Sequence, residues 1–241
     1  MESTPLRILV VDDSALYRES IRNALRSIDH VQWCGNAKDG VHALERIDEL
    51  DPDLLTLDVQ MPDMDGIGVL REIKRRGLRA KAIMVSSLTA QGAQVTTDAL
   101  IEGAFDFILK PSGSDSVCNL QRLRSALKEK IDAFQETRGL RRRQSRRSIS
   151  DESQRDETVP TAKNACRAVV IGTSTGGPAA LKTVLTKLPE QLPVPVIVVQ
   201  HMPANYTASL ATRLNSICPL SVVEAADGME AVPGKVIIAA G

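Results

Sequence analysis

Residues 169–178 read Val-Val-Ile-Gly-Thr-Ser-Thr-Gly-Gly-Pro. An apolar, β-branched run enters a Gly-rich turn. Pro178 then opens a segment in which Leu181, Val184, Leu185 and Leu188 recur at helical spacing. Pro suits a first helical position, where no backbone N–H is needed. The unit is strand, tight turn, helix, and it predicts an α/β fold. Ser174 falls in the turn at the carboxyl end of the strand, where open α/β sheets place their sites. Gly172, Ser174 and Gly176 fit G-x-S-x-G, the pattern of a serine nucleophile on a sharp turn. The N–H groups at the start of the next helix would face a developing oxyanion. Gly and Ser also fill βα turns for backbone reasons alone. Phosphate-binding alternatives fit less well. A P-loop needs Lys after its last Gly, whereas Gly177 is followed by Pro178, and Gly172-Thr173-Ser174 breaks the G-x-G of a dinucleotide fold.

A base would complete the chemistry. The next predicted strand, Val194–Val199, runs into Gln200-His201-Met202-Pro203. Lying beside the first strand, it would deliver His201 to the same sheet edge as Ser174. The chain has 3 His, at 30, 42 and 201, and His201 stands at a strand end beside the serine turn, the place of a general base.

The 241 residues suggest one or two domains, and 43% hydrophobic residues suffice for ordinary cores. The formal net charge is zero, so no bulk charge draws the chain to nucleic acid or an anionic membrane. Aromatics at 2% argue against base-stacking platforms and carbohydrate sites. The start carries no signal-peptide pattern, and no stretch approaches a membrane span. The 4 cysteines, Cys34, Cys118, Cys166 and Cys218, lack metal-ligand spacing. A reducing, cytoplasmic setting without membrane insertion is expected.

From Leu6 to about Lys130, short apolar runs alternate with helical patterns. The predicted strands are Arg7–Val11, Val31–Ala37, Leu54–Leu57, Lys81–Val85 and Phe105–Leu109. Helices are expected near Ala15–Ile28, Gly40–Leu50, Ile67–Arg76 and Gly92–Glu102, with a last one from about Asn119 into the 130s. Such alternation implies a doubly wound parallel five-stranded sheet. Asp12 and Asp13 follow the first strand, Asp58 the third, Ser86 and Ser87 the fourth, and Lys110-Pro111 the fifth. Sheet topology gathers all of them at one edge. Three carboxylates in close quarters repel unless a cation sits among them, and hard oxygen ligands favour Mg²⁺ with a phosphate partner. One carboxylate can then accept a phosphoryl group, with Lys as point charge and Ser as hydroxyl donor.

Val-Val-Asp-Asp-Ser, Leu-Asp-Val-Gln-Met-Pro-Asp-Met-Asp-Gly, Val-Ser-Ser and Leu-Lys-Pro together resemble a response-regulator receiver domain. The resemblance implies that Asp58 is the phospho-acceptor, supplied by a histidine kinase. It makes Asp13 a Mg²⁺ ligand with Asp12 in support and the Gln60 carbonyl as a further ligand. It makes Ser86 the hydroxyl switch, Phe107 the aromatic switch and Lys110 the phosphate contact.

After the receiver, residues 131–165 are expected to form a charged flexible linker. Arg138, Arg141, Arg142, Arg143, Arg146 and Arg147 crowd together, and Asp151, Glu152, Asp156 and Glu157 follow. No aromatic residue interleaves the Arg block, so RNA is not favoured. The divisions are thus 6–130, 131–165 and 166–241.

Behind a receiver and linker, Gly-x-Ser-Thr-Gly-Gly-Pro and Gln-His-Met-Pro resemble the start of a chemotaxis methylesterase domain of the CheB type. That resemblance implies a parallel α/β domain. It also implies hydrolysis of glutamate γ-methyl esters on chemoreceptors, with methanol released, and in many members deamidation of receptor glutamines (protein-glutamine glutaminase activity). Ser174 is then the nucleophile and His201 the base, with Thr175 shaping the oxyanion site and no cofactor in the ester step. Family members carry a triad Asp well beyond His201, whereas this sequence runs to Val232–Gly241, which reads as a strand. Asp227 and Glu230 are the nearest acids, and Asp227-Gly228 reads as a turn. The catalytic domain is therefore expected to be incomplete. The competing expectation is a phospho-receiver binding module whose remnant second domain acts only through partners.

Overall fold

The computed structural model describes residues 4–113, 115–147 and 166–241, with backbone alone for 140–147. The first sheet holds β1 (Leu6–Val11), β2 (Val31–Ala37), β3 (Leu54–Asp58), β4 (Lys81–Ser86) and β5 (Asp106–Leu109). All its pairings are parallel and the order is β2-β1-β3-β4-β5. The order reverses between β1 and β3, so a crevice opens at their carboxyl ends. β3 is buried along its whole length, as a central parallel strand must be when helices cover both faces.

Helices α1 (Ala15–Leu25), α2 (Gly40–Leu50), α3 (Gly66–Arg76) and α4 (Ala90–Glu102) alternate with the strands. Their starts are set by side-chain caps: Ser14, Asp39, Asp65 and Thr89 each accept a backbone N–H three residues on. Asp39 and Asp65 are thereby spent on helix starts, which separates them from Asp12, Asp13 and Asp58. One face of the sheet packs on α1 and α5, through Ile8, Val10, Ile21, Leu25, Leu123 and Leu127. The other packs on α2, α3 and α4, through Leu9, Val11, Leu55, Leu57, Leu44 and Leu100.

The boundary expected at residue 130 is corrected by α5, which runs unbroken from Ser116 to Arg147. Leu123, Leu127, Ile131 and Phe134 fall on one helical stripe and are all buried, so the receiver core extends past Lys130. Residues 131–147 are helix rather than loose linker. Asp151, Glu152, Asp156 and Glu157 lie outside the described residues.

The second sheet holds β6 (Val169–Thr173), β7 (Val196–Gln200), β8 (Ser221–Glu224) and β9 (Lys235–Ile238), all parallel, in the order β6-β7-β9-β8. β6 and β7 pair as the sequence predicts, with Thr173 opposite Gln200. Helices α6 (Gly177–Leu185) and α7 (Tyr206–Asn215) bury Leu181, Leu185, Leu210 and Leu214. Those residues join Leu100, Ile101 and Phe107 of the receiver in one continuous apolar cluster. The two sheets are thus joined through α4, α6 and α7.

Candidate functional site

The receiver crevice gathers the residues expected there. Lys110 Nζ donates to Asp58 Oδ2 at 2.7 Å and lies 2.9 Å from Asp12 Oδ2. Carboxylate oxygens of Asp12, Asp13 and Asp58 lie within 4.8 Å of one another, and this is the one such group among the described residues. Asp12 is fully buried, Asp58 nearly so, and Asp13 is exposed at the mouth. A cavity of about 310 Å³ opens over them, lined by Asp13, Asp58, Gln60, Ser86, Ser87 and Lys110. Burial pushes the Asp58 carboxyl above its ordinary range, and the Asp12 charge adds to this, while Lys110 and the Gln60 N–H oppose it. Burial disfavours the Lys110 ammonium, but its bonds to Asp12 and Asp58 outweigh that and raise its pKa. Asp12 Oδ2 makes no aligned hydrogen bond. A crowded set of hard carboxylate oxygens, with Asp13 exposed at the mouth, fits a small hard cation such as Mg²⁺.

Ser86 and Phe107 stand on β4 and β5, beside the crevice. Thr96 Oγ1 of α4 donates to Ser86 Oγ at 2.7 Å. The Phe107 ring stacks on Tyr206 of α7, with centroids 4.8 Å apart and planes at 15°.

The serine turn is built by two glycines. Gly176 takes φ 73°, a left-handed conformation that favours glycine. A Cβ on Gly177 would strike the Gln200 carboxamide. That carboxamide ties the edge together: Thr173 Oγ1 donates to Gln200 Oε1 at 2.7 Å, and Gln200 Nε2 donates to Ser174 C=O at 3.0 Å. The His201 N–H donates to Thr173 C=O at 3.0 Å, so Ser174 and His201 leave adjacent strands at one level. Both side chains are exposed. Among the described residues no hydrogen bond joins Ser174 Oγ to His201, and neither Asp227 nor Glu230 is bonded to His201. Asp227-Gly228 forms the expected turn, closed by Met229 N–H on Ala226 C=O at 3.1 Å.

Three residues of this region carry no sequence pattern that marks them, and Gln200, though part of the Gln-His-Met-Pro motif, carries no local sign of its role in tying the two strands. Asp106 heads β5 and accepts from Thr175 Oγ1 at 2.6 Å, while Lys130 Nζ lies 3.2 Å from the same oxygen. Thr96 and Tyr206 meet across the two sheets. His201, Met202 and Pro203 line a cleft of about 560 Å³ whose other wall is receiver, including Asp106, Lys110 and Lys130. The receiver therefore abuts the Ser174 edge but leaves Ser174 itself exposed.

The family model for the response regulator receiver domain matches residues 8–122, and the model for CheB methylesterase matches residues 169–241. The protein-glutamate methylesterase/protein-glutamine glutaminase of Halalkalibacterium halodurans is 44% identical over 241 residues, covering 100% of this chain and 67% of that protein. Its counterpart from Thermotoga maritima is 41% identical over 244 residues, covering 100% of this chain and 68% of that protein. The crystal structure of the response regulator domain of Thermotoga maritima CheB is similar to 54% of this chain and 97% of its own, at 41% identity and a TM-score of 0.48. The chain spans about two thirds of the length of these curated relatives. No helix among the described residues is long and apolar enough to cross a membrane. Two family models met in this order, and relatives alike along the whole chain, make it a member of the CheB family of chemotaxis response-regulator methylesterases.

Proposed function

We propose that this chain is a phosphorylation-controlled serine hydrolase that cleaves glutamate methyl esters, and deamidates glutamines, on chemoreceptors. The observation that carries the reading is the register of β6 and β7, which sets Ser174 and His201 side by side at one sheet edge. In this mechanism Ser174 Oγ attacks the ester carbonyl carbon while His201 takes its proton. N–H groups at the start of α6 stabilise the oxyanion. The C–O bond to methoxide then breaks and His201 returns the proton, releasing methanol. Water, deprotonated by His201, hydrolyses the glutamyl-serine ester and frees the carboxylate. In these acyl steps Ser174 is the nucleophile, His201 the base, and backbone N–H groups the oxyanion donors.

Control resides in the receiver. An Asp58 oxygen attacks the phosphorus of a kinase phosphohistidine, the P–N bond breaks, and an acyl phosphate forms. Lys110 and Ser86 contact the phosphoryl oxygens. Asp12, Asp13, Asp58 and the Gln60 carbonyl would hold Mg²⁺, which offsets charge on the phosphoryl group. The receiver unit comprises β1 to β5 with α5, and the hydrolase unit begins near residue 166.

A second reading, a phospho-regulated binding module, is favoured by one observation: His201 is exposed and bonded to no acid among the described residues. Methanol release from methylated receptor membranes separates the two. The hydrolase reading expects release that rises on phosphorylation and is lost in Ser174→Ala and in Asp58→Asn under kinase. Release that survives Ser174→Ala would sink it. Acetyl phosphate should label Asp58 in either reading.

A further inference from the structure

Most cations around the carboxyl end of α3 already have acid partners. Arg75 pairs with Glu72 at 2.7 Å, Arg76 with Asp48 and Glu72 at 3.1 Å, and Arg79 with Asp51 at 2.7 Å. Lys74, Lys81 and Lys182 pair with no acid among the described residues. These three ammonium groups line one cleft of about 490 Å³, bounded by the ends of α3 and α4 and by Ala179, Lys182 and Thr183 of α6. Ile73, Leu78 and Ile101 supply its aliphatic lining. Glu102, the one acid of that lining, faces Arg71 at 3.9 Å. Gly77 and Gly103 close α3 and α4, and a Cβ on either would meet nothing within 4 Å, so the mouth is open. The carbonyl ends of two helices carry about one negative elementary charge between them. Lys182 answers part of it by donating to Ile101 C=O at 3.1 Å. Three full positive charges exceed it, and the cleft stays positive.

We propose that this cleft is the docking site for an acidic amphipathic helix of a partner protein, which touches the receiver and the hydrolase unit at once. The cleft shares no lining residue with the Asp58 crevice, and its role does not depend on those of Asp58 and Ser174. Lys ammonium groups are point charges without the planar fork of Arg. Lys74 and Lys81 stand exposed on the rim, where they meet carboxylates spread along a partner rather than one small anion in a closed pocket. The aliphatic lining takes the apolar ridge of a helix, with anchors at i, i+3 and i+4, while acids flanking the ridge reach the rim lysines. Both units supply walls, so the partner binds best when α6 lies against α4. By that differential affinity it holds α6 in place.

The probe is a fluorescein-labelled peptide of about four helical turns, with Leu at helical spacing and Glu elsewhere. It is titrated against the whole chain at low salt and followed by anisotropy. Wild type should bind it saturably. Lys74→Glu with Lys81→Glu, both exposed and free of side-chain bonds, should weaken binding at least about tenfold. Lys182→Met keeps the wall, loses the charge and should weaken it about threefold. Arg124→Glu with Lys128→Glu on α5 makes the same charge change on the opposite face of the sheet and should weaken it less than about twofold. A peptide of equal composition with its Leu residues dispersed around the helix should bind at least about fivefold more weakly. The bound amphipathic peptide should slow amide exchange across α6, residues 177–185. Absence of saturable binding, an equal loss in the α5 variant, or equal binding of the two peptides would overturn the proposal. ATP that slows exchange in α6 where the peptide does not would make the cleft a small-anion site and would overturn it equally.

Discussion

At Asp58, three effects compete and their balance has a measurable sign. Burial leads and raises the carboxyl pKa, Asp12 adds to it, and Lys110 offsets part of it without reversing it. A raised folded-state pKa means the native state holds a proton that the unfolded chain has released. Ionised Asp58 therefore costs folding free energy at neutral pH, and the cost fades as pH falls and the native carboxyl takes up its proton. In buffer free of divalent cations, Asp58→Asn should melt above wild type at pH 7, by about 4 °C if ~1 kcal/mol is relieved. The gap should close towards pH 4. Added Mg²⁺ should raise the wild-type midpoint and leave the Asn variant nearly unmoved. An Asn variant that melts lower at pH 7 would mean that the bond to Lys110 outweighs burial. Asp53 is a fitting control, because its carboxylate accepts from the Arg7 N–H at 3.1 Å and faces Arg138, away from the crevice.

Among the elements, α5 carries the clearest correction. Its composition is dominated by Arg and other polar residues beyond Phe134, and that masked an apolar stripe of one residue per turn. Ile131 is fully buried and Phe134 meets Phe105 edge-on at 5.1 Å. Phe134→Ala should cost about 3–5 kcal/mol in denaturant unfolding of the receiver, the range for large-to-small core changes. Arg138→Ala, at a half-exposed ion pair, should cost less than ~1 kcal/mol. Comparable losses in the two would show that the helix beyond Lys130 is not part of the core. The strands were legible because buried parallel strands are near-continuous apolar runs, as Leu54-Leu55-Thr56-Leu57 shows. Asp12, Asp13, Asp58 and Lys110 were legible for the same reason, since each follows such a run and parallel topology does the gathering. Insertion of β9 between β7 and β8 was not legible, because strand order depends on non-local pairing. Nor were Asp106 and Tyr206: the Thr175–Asp106 bond spans 69 positions, and no local pattern encodes a partner so far away.

In the whole molecule, the two sheets are held together by contacts of α6 and α7 with α4 and of Thr175 and Tyr206 with β5. Leu100 and Ile101 share an apolar cluster with Leu181 and Leu210. Lys182 Nζ donates to Ile101 C=O at 3.1 Å, and Arg213 pairs with Asp98 at 2.9 Å. The Arg213 and Asp98 side chains are 31% and 32% exposed, so the pair is screened and worth only ~0.5–1 kcal/mol. That weakness makes it a good lever, since it shifts docking without wrecking either core. Arg213→Asp sets like charges against each other and should raise hydrogen exchange on α4 and α7 and enlarge the radius of gyration. The double exchange Asp98→Arg with Arg213→Asp should return both quantities towards wild type, and 0.5 M salt should shrink the differences. Phosphorylation of Asp58 should move the same two observables in the direction of the single variant, because both act on one docked-to-free equilibrium. If charge exchange fails to restore the double variant, the Asp98–Arg213 contact plays no part in docking. If phosphorylation leaves both observables fixed, the receiver acts on Ser174 and His201 by some route other than separation of the two units.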